Sequence, residues 1–141
     1  MKNGKIQTFT DLNVWKEGHK LVIMVYVVTK GFPREELYSL VDQMRRAVAS
    51  VTANIAEGFG RQSYKEKVQF YYLAKGSLLE LKNFILIAKD AGYLSEEEFR
   101  KLSNQANIVD QLLQGFIRKS KTFIIHKSSI INQKSSLAKE D

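Results

Sequence analysis

A chain with a single proline, Pro33, in 141 residues has almost nothing to interrupt a helix. Proline removes a backbone donor and clashes with the preceding turn, and average usage is about 5%. The long stretches on either side of Pro33 are therefore free to run as helices, and their apolar residues recur at helical spacings. From Leu12 one stripe holds Leu12, Trp15, His19, Val22 and Tyr26; a second holds Val14, Leu21, Val25 and Val28. The β-branched run from Leu21 to Thr29 also suits a strand, but the helical period sustained from Leu12 outweighs it. A first helix is expected from Asp11, a capping residue, to Gly31, ahead of the Phe32-Pro33 turn.

A second helix is expected from about Arg34 to Glu57, with Pro33 at its first turn. Its core stripe reads Leu37, Leu40, Met44, Val48, Val51, Ile55, and a parallel stripe of Gln43, Arg46, Ser50, Asn54 and Glu57 is wholly polar. Gly58 and Gly60 frame the break to a third helix, from Ser63 to Ala91, with Gly92 after it. That helix carries Phe70, Leu73, Ala74, Leu78, Leu81, Phe84, Ile85 and Ala88. Ser95 with Glu98 three residues on is a capping-box signature opening a fourth helix, with Phe99, Leu102, Ala106, Val109, Leu113 and Phe116 inward. The expected fold is all-α: an antiparallel, up-down four-helix bundle over residues 11–121, preceded by an arm at 1–10. Residues 122–141, rich in Ser and Lys, read as a mobile tail. A hairpin folded at Gly60 sets Arg45 level with Gly76 and within reach of Glu80.

Chemistry is sparsely represented. Without cysteine, disulfides, thiolate zinc sites and cysteine nucleophiles are excluded. The two histidines, His19 and His126, lack the Glu-x-x-His spacing of di-iron bundles. No nucleotide-binding glycine loop or nucleophile elbow is present, so no catalytic residue, metal or cofactor is expected. Gly58-Phe59-Gly60-Arg61 has the look of a phosphate-cradling turn before a helix, but the pattern fits a bundle hairpin better. The richest apolar run, Leu21 to Val28, is too short to span a bilayer, and no secretory segment is visible near Met1; a cytoplasmic protein is expected.

The net charge is +7, which suits a polyanionic partner. Residues 61–91 hold six bases against three acids, whereas 33–60 hold three bases against four. The third helix and its leading turn are thus the expected anion-binding face.

Several of these segments occur together in a known family. Asp11-Leu12-x-Val14-Trp15, Phe32-Pro33-x-Glu35, Tyr38-x-Leu40-x-x-Gln43-x-Arg45-Arg46-Ala47, Ser50-Val51-x-x-Asn54-Ile55-Ala56-Glu57-Gly58-x-Gly60-Arg61 and Ala74-x-Gly76-Ser77-Leu78-x-Glu80-Leu81 resemble the bundle proteins encoded in intervening sequences of bacterial 23S rRNA genes. The likeness spans Phe9 to Tyr93 and is looser in the fourth helix. It implies an up-down bundle assembled as a ring-shaped homopentamer, which would give the second apolar side of the first helix a neighbour. The chain is also similar to the accessory variability determinants of diversity-generating retroelements, basic bundles that bind nucleic acid and a reverse transcriptase. Val51, Thr52 and the Ser/Lys tail depart from the shared pattern.

The expected function is a non-enzymatic, homo-oligomeric bundle that contacts RNA or DNA phosphates through Arg46, Arg61, Lys65, Lys67, Lys75 and Lys82. Gln43, Ser50, Asn54 and Glu57 are expected to set register or subunit contacts. The alternative is a protein-interaction scaffold or adaptor, in which the charge serves solubility alone.

Overall fold

The computed structural model describes the backbone of residues 4–140 and the side chains of residues 4–124. It contains four α-helices: α1 (Asn13–Thr29), α2 (Leu40–Phe59), α3 (Tyr64–Asp90) and α4 (Glu96–Glu140). Among the described residues there is no strand. Each helix packs on two others, α1 on α2 and α4, α3 on α2 and α4. One continuous core results, with Leu21, Met44, Val48, Val51, Ile55, Leu78, Leu81, Val109 and Leu113 fully enclosed.

The first helix starts two residues later than its sequence suggests. Asp11 ends a short 3-10 turn, Phe9–Asp11, and its carboxylate reaches backward to accept from the amides of Gln7 and Thr8, both at 3.0 Å. The buried stripe of α1 is Val14, Gly18, Leu21, Val25 and Thr29. Gly18 and Thr29 escape an apolar search. Gly18 admits the Thr52 side chain of α2, which would lie 3.1 Å from a Cβ at that position. Thr29 returns its hydroxyl to the Val25 carbonyl at 2.7 Å and accepts from Arg45 Nε at 3.0 Å.

The second helix starts at Leu40 rather than Arg34. After Pro33 the chain makes a 3-10 turn, Arg34–Glu36, and the Glu36 carboxylate accepts from Ser39 Oγ at 2.8 Å and from the Leu40 amide at 3.3 Å. The Ser39 hydroxyl, with the Leu40 amide and the Tyr93 hydroxyl, holds the Glu36 carboxyl below its ordinary pKa against a smaller opposing effect of burial. Leu37 therefore lies outside the core, 42% exposed.

Between α2 and α3 the glycines act differently from the flexible break expected of Gly58 and Gly60. Gly58 is helical and buried, and Gly60 caps α2 at φ −78°, a conformation open to any residue. The turn proper falls at 60–63, so the register shifts: Ser50 meets Ser77, Oγ to Oγ at 2.8 Å, and Gly58 meets Tyr71. Arg45 consequently does not approach Glu80; its guanidinium lies over the Tyr26 ring at 4.9 Å. Gly92 does use the left-handed region, at φ +81°, as expected of a residue closing a helix.

Both expected caps of the later helices form. Ser63 Oγ accepts from the Glu66 amide at 3.2 Å. Ser95 and Glu98 exchange bonds at 3.0 and 2.8 Å. In α3 the inward set is Val68, Tyr71, Ala74, Leu78, Leu81, Ile85 and Ala88, while Leu73 is 57% exposed. Of the separate tail expected over 122–141, residues 122–140 are instead part of α4, which continues to Glu140. Neither Gly nor Pro occurs after Gly115, and extending an existing helix carries no nucleation cost. Phe123 stacks on Tyr64 at 4.7 Å and Ile124 packs on the core. His126, Ile125, Ile130 and Ile131 lie outside the described side chains.

Candidate nucleic-acid interface

The six bases expected to bind phosphate divide sharply by environment. Arg46 is exposed on α2 but lies 3.0 Å from Asp42. Lys82 on α3 donates to Asp110 on α4 at 2.8 Å. Burial on its own would raise the Asp110 pKa, yet the hydrogen bonds from Lys82 and Gln114 and the charges of Lys82 and Lys75 hold it below the ordinary value. Lys82 is thus an interhelical strut. Lys67 also turns inward: its ammonium donates to the Phe59 carbonyl at 2.5 Å and to the Gly58 carbonyl at 3.5 Å. That closes the C-terminal end of α2, where carbonyls lack helical partners, and burial pushes the Lys67 pKa down. Lys75 is half-buried on the same side as Asp110.

Arg61 and Lys65 keep their charge at the surface. Arg61 lies over the Phe70 ring at 4.5 Å and makes a loose, exposed pair with Glu57 at 3.9 Å, which screening renders weak. The helical extension of α4 brings further bases to this end. Lys119 shares a cavity with Phe59, Tyr64 and Lys67, and Lys121 lies over the Tyr72 ring at 4.8 Å. Arg118 is exposed beside them. Residues 111–139 contain six bases and no acid. Sequence reasoning missed this cluster because charge was counted over 33–91, although Arg118, Lys119 and Lys121 fall inside the bundle expected over 11–121. The acid-free run itself was the available signal. At the opposite end Glu35, Glu36, Asp90, Glu96, Glu97 and Glu98 are nearly balanced by Lys30, Arg34, Lys89, Arg100 and Lys101, so the excess of positive charge lies at the first end.

The polar stripe of α2 also divides. Asn54 donates to the Ser50 carbonyl at 2.8 Å and to Ser50 Oγ at 3.0 Å, which links it through Ser50 to Ser77 on α3. Gln43 and Glu57 remain exposed. A comparable link joins α4 to α1, where the buried Gln105 donates to the carbonyl and the carboxylate of Glu17 at 2.9 and 2.7 Å.

The cavity at the basic end has a volume of about 610 Å³ and lies between the N-terminal arm, α1, α3 and α4, with Phe59 of α2 at its edge. Its walls include Phe59, Tyr64, Tyr71, Phe116 and Phe123. Elsewhere His19 stacks flat on Trp15 at 4.8 Å, and Trp15 meets Phe9 edge-on at 5.4 Å. Among the described residues no group of three His, Cys, Asp or Glu side chains is placed to hold a metal, and no helix is long and apolar enough to cross a membrane.

An all-helical bundle with polar pairs between its helices and a basic end defines a class, and comparison with known proteins identifies it. The 23S rRNA-intervening sequence protein family matches residues 10–115, and the chain belongs to that family. A solved structure of a protein of unknown function from the S23 ribosomal protein family of Bacteroides thetaiotaomicron superposes with a TM-score of 0.70 at 19% identity, covering 74% of this chain and 95% of that one. At that identity the likeness concerns the fold. Comparison with curated proteins finds no match.

Proposed function

We propose that the protein is a non-enzymatic, homo-oligomeric bundle that holds RNA or DNA by its phosphates. The carrying observation is the polarised charge: Arg61, Lys65, Arg118, Lys119 and Lys121 gather at one end, where α4 passes into residues 122–139, which hold three bases and no acid. Phosphate contacts of this kind confer affinity without reading sequence. The site named from sequence is accordingly narrowed. Arg61 and Lys65 are retained, Arg46 is exposed on α2 but remote from this end, Lys75 is peripheral, and Lys67 and Lys82 are committed within the chain.

An antiparallel, up-down course is supported by the contacts of α2 and α3, with Gly58 on Tyr71 near the turn and Ser50 on Ser77 farther along. Assembly into a ring of five cytoplasmic subunits accords with the family likeness and with two unlike apolar strips. Ile23 and Val27 of α1 are exposed near the start of α4, and Ile108 and Leu112 are exposed farther along α4; a second strip runs along Tyr72, Leu79 and Leu86 of α3. Contacts between unlike surfaces close into rings when the rotation permits. Ser50 and Asn54 act in this reading on helix register, leaving Gln43 and Glu57 exposed for subunit contacts.

Replacing Arg61, Lys65 and Lys119 by Glu tests the interface. Loss of binding to labelled RNA and duplex DNA, with helical content and oligomer mass unchanged, is the expected result. The scaffold reading is favoured by the internal pairing of Lys67 and Lys82. It predicts instead that the triple variant behaves as wild type in every assay of partner association.

A further inference from the structure

The cavity at the basic end contains a polar group that the fold leaves unanswered. Tyr71 is only 1% exposed, yet its hydroxyl makes no hydrogen bond to any described residue, while its ring packs on Phe116 at 4.6 Å. No fully enclosed side-chain nitrogen or oxygen among the described residues lacks a partner. The Tyr71 hydroxyl therefore opens onto the cavity it lines. Burial and the neighbouring Tyr64 push its pKa up to about 12, so it remains a neutral donor and acceptor at ordinary pH.

Three features of the surroundings narrow the ligand. Tyr64 and Phe123, both part-exposed, stack on each other at 4.7 Å along one wall, which leaves their outer faces and edges for a further aromatic ring. Asn13 adds an amide that both donates and accepts. Lys119 lines the same space, with Arg61 and Lys65 near in sequence to the walls at Phe59 and Tyr64. An aliphatic chain would leave the buried phenol without a partner, whereas a planar, hydrogen-bonding ring attached to a phosphate answers all three. The volume falls within the usual small-ligand range of about 300–1,000 Å³.

We infer that this cavity takes an unpaired nucleobase, stacked along the Tyr64–Phe123 wall and hydrogen-bonded to Tyr71, while the bases at its mouth hold the adjoining phosphates. The inference rests on the phosphate-binding reading above and deepens it: the preferred partner is single-stranded or looped nucleic acid rather than a regular duplex. In a duplex the base is already paired and stacked, so only the phosphates are available to the protein.

The test is a titration of the full-length protein with a short single strand carrying 2-aminopurine, and with the same strand annealed to its complement, at equal salt. The expected result is single-strand binding tighter by about tenfold, the scale of one stacked base, together with quenching of the 2-aminopurine. Tyr71→Phe and the exposed Phe123→Ala should remove most of that preference and leave duplex affinity unchanged. If wild type binds strand and duplex equally and without quenching, the base pocket is refuted while the basic surface stands. If it binds neither, both readings fall. Quenching in the wild-type protein keeps the test decisive even if a variant fails to fold.

Discussion

A β-carbon placed on Gly58 would lie 2.6 Å from Cε1 of Tyr71 and 2.9 Å from Cβ of Phe70. The absence of a side chain at Gly58 is what lets α3 close onto the last turn of α2, and it sets the register in which Ser50 meets Ser77. It also seats the Tyr71 ring between α2 and the cavity.

Gly58→Ala should therefore destabilise the protein by about 1–3 kcal/mol, the usual cost of overpacking, despite the gain in helix propensity. Gly76→Ala, in the middle of α3 with nothing within 4 Å of the added carbon, should stabilise it by roughly 0.5–1 kcal/mol. Denaturant unfolding of the two variants compares a glycine required by contact with one that is not.

Asp110→Asn should weaken the α3–α4 contact by about 1–2 kcal/mol, in the range of a charge-assisted hydrogen bond with partial exposure. The sign of its pH dependence follows from the direction of the shift. The folded pKa of Asp110 is held below its ordinary 3.8, so the stabilisation is present above 3.8 and fades as pH falls through the lower folded value. Unfolding midpoints of wild type and variant should converge at acid pH. A constant difference at all pH values would mean that packing, not ionisation, governs the site.

Asn54→Ala should cost about 1 kcal/mol, because the Asn54 amide supports Ser50 in its contact with Ser77. Gln43→Ala should leave monomer stability unchanged, since Gln43 is exposed. Thermal melts of the two distinguish a residue acting within the chain from one available to a neighbour.

Leu79→Lys, on the exposed strip of α3, should lower the assembly mass from that of the proposed pentamer, about five times 16.2 kDa, toward the single chain with helical content intact. Native mass spectrometry reads this directly. An unchanged mass would exclude this strip from the subunit contact.

The helices were legible because periodic burial and capping are local properties. Ser63 and the Ser95–Glu98 box open helices, and Gly92 closes one, where their sequence suggests. What escaped was decided by contacts distant in sequence or by side-chain reach. Glu36 caps Leu40 and so delays α2, and Gly58 reads as a hinge until Tyr71 is seen against it. The proposed interface was half legible. Charge counting found Arg61 and Lys65, yet nothing in the sequence marks Lys67 as spent on the Phe59 carbonyl or Lys82 as spent on Asp110. Lys119 and Lys121 gained meaning only once the packing of α4 on α3 set them beside Tyr64 and Tyr72.

The salt dependence of binding tests the phosphate reading most directly. With structured RNA and duplex DNA titrated at several salt concentrations, log K should fall linearly with log salt. The slope should be several units, about 0.9 for each duplex phosphate neutralised. The Arg61, Lys65 and Lys119 to Glu variant should lose both the slope and the affinity. Binding that is absent at about 100 μM protein and physiological salt, or that persists with no salt dependence, would contradict the account.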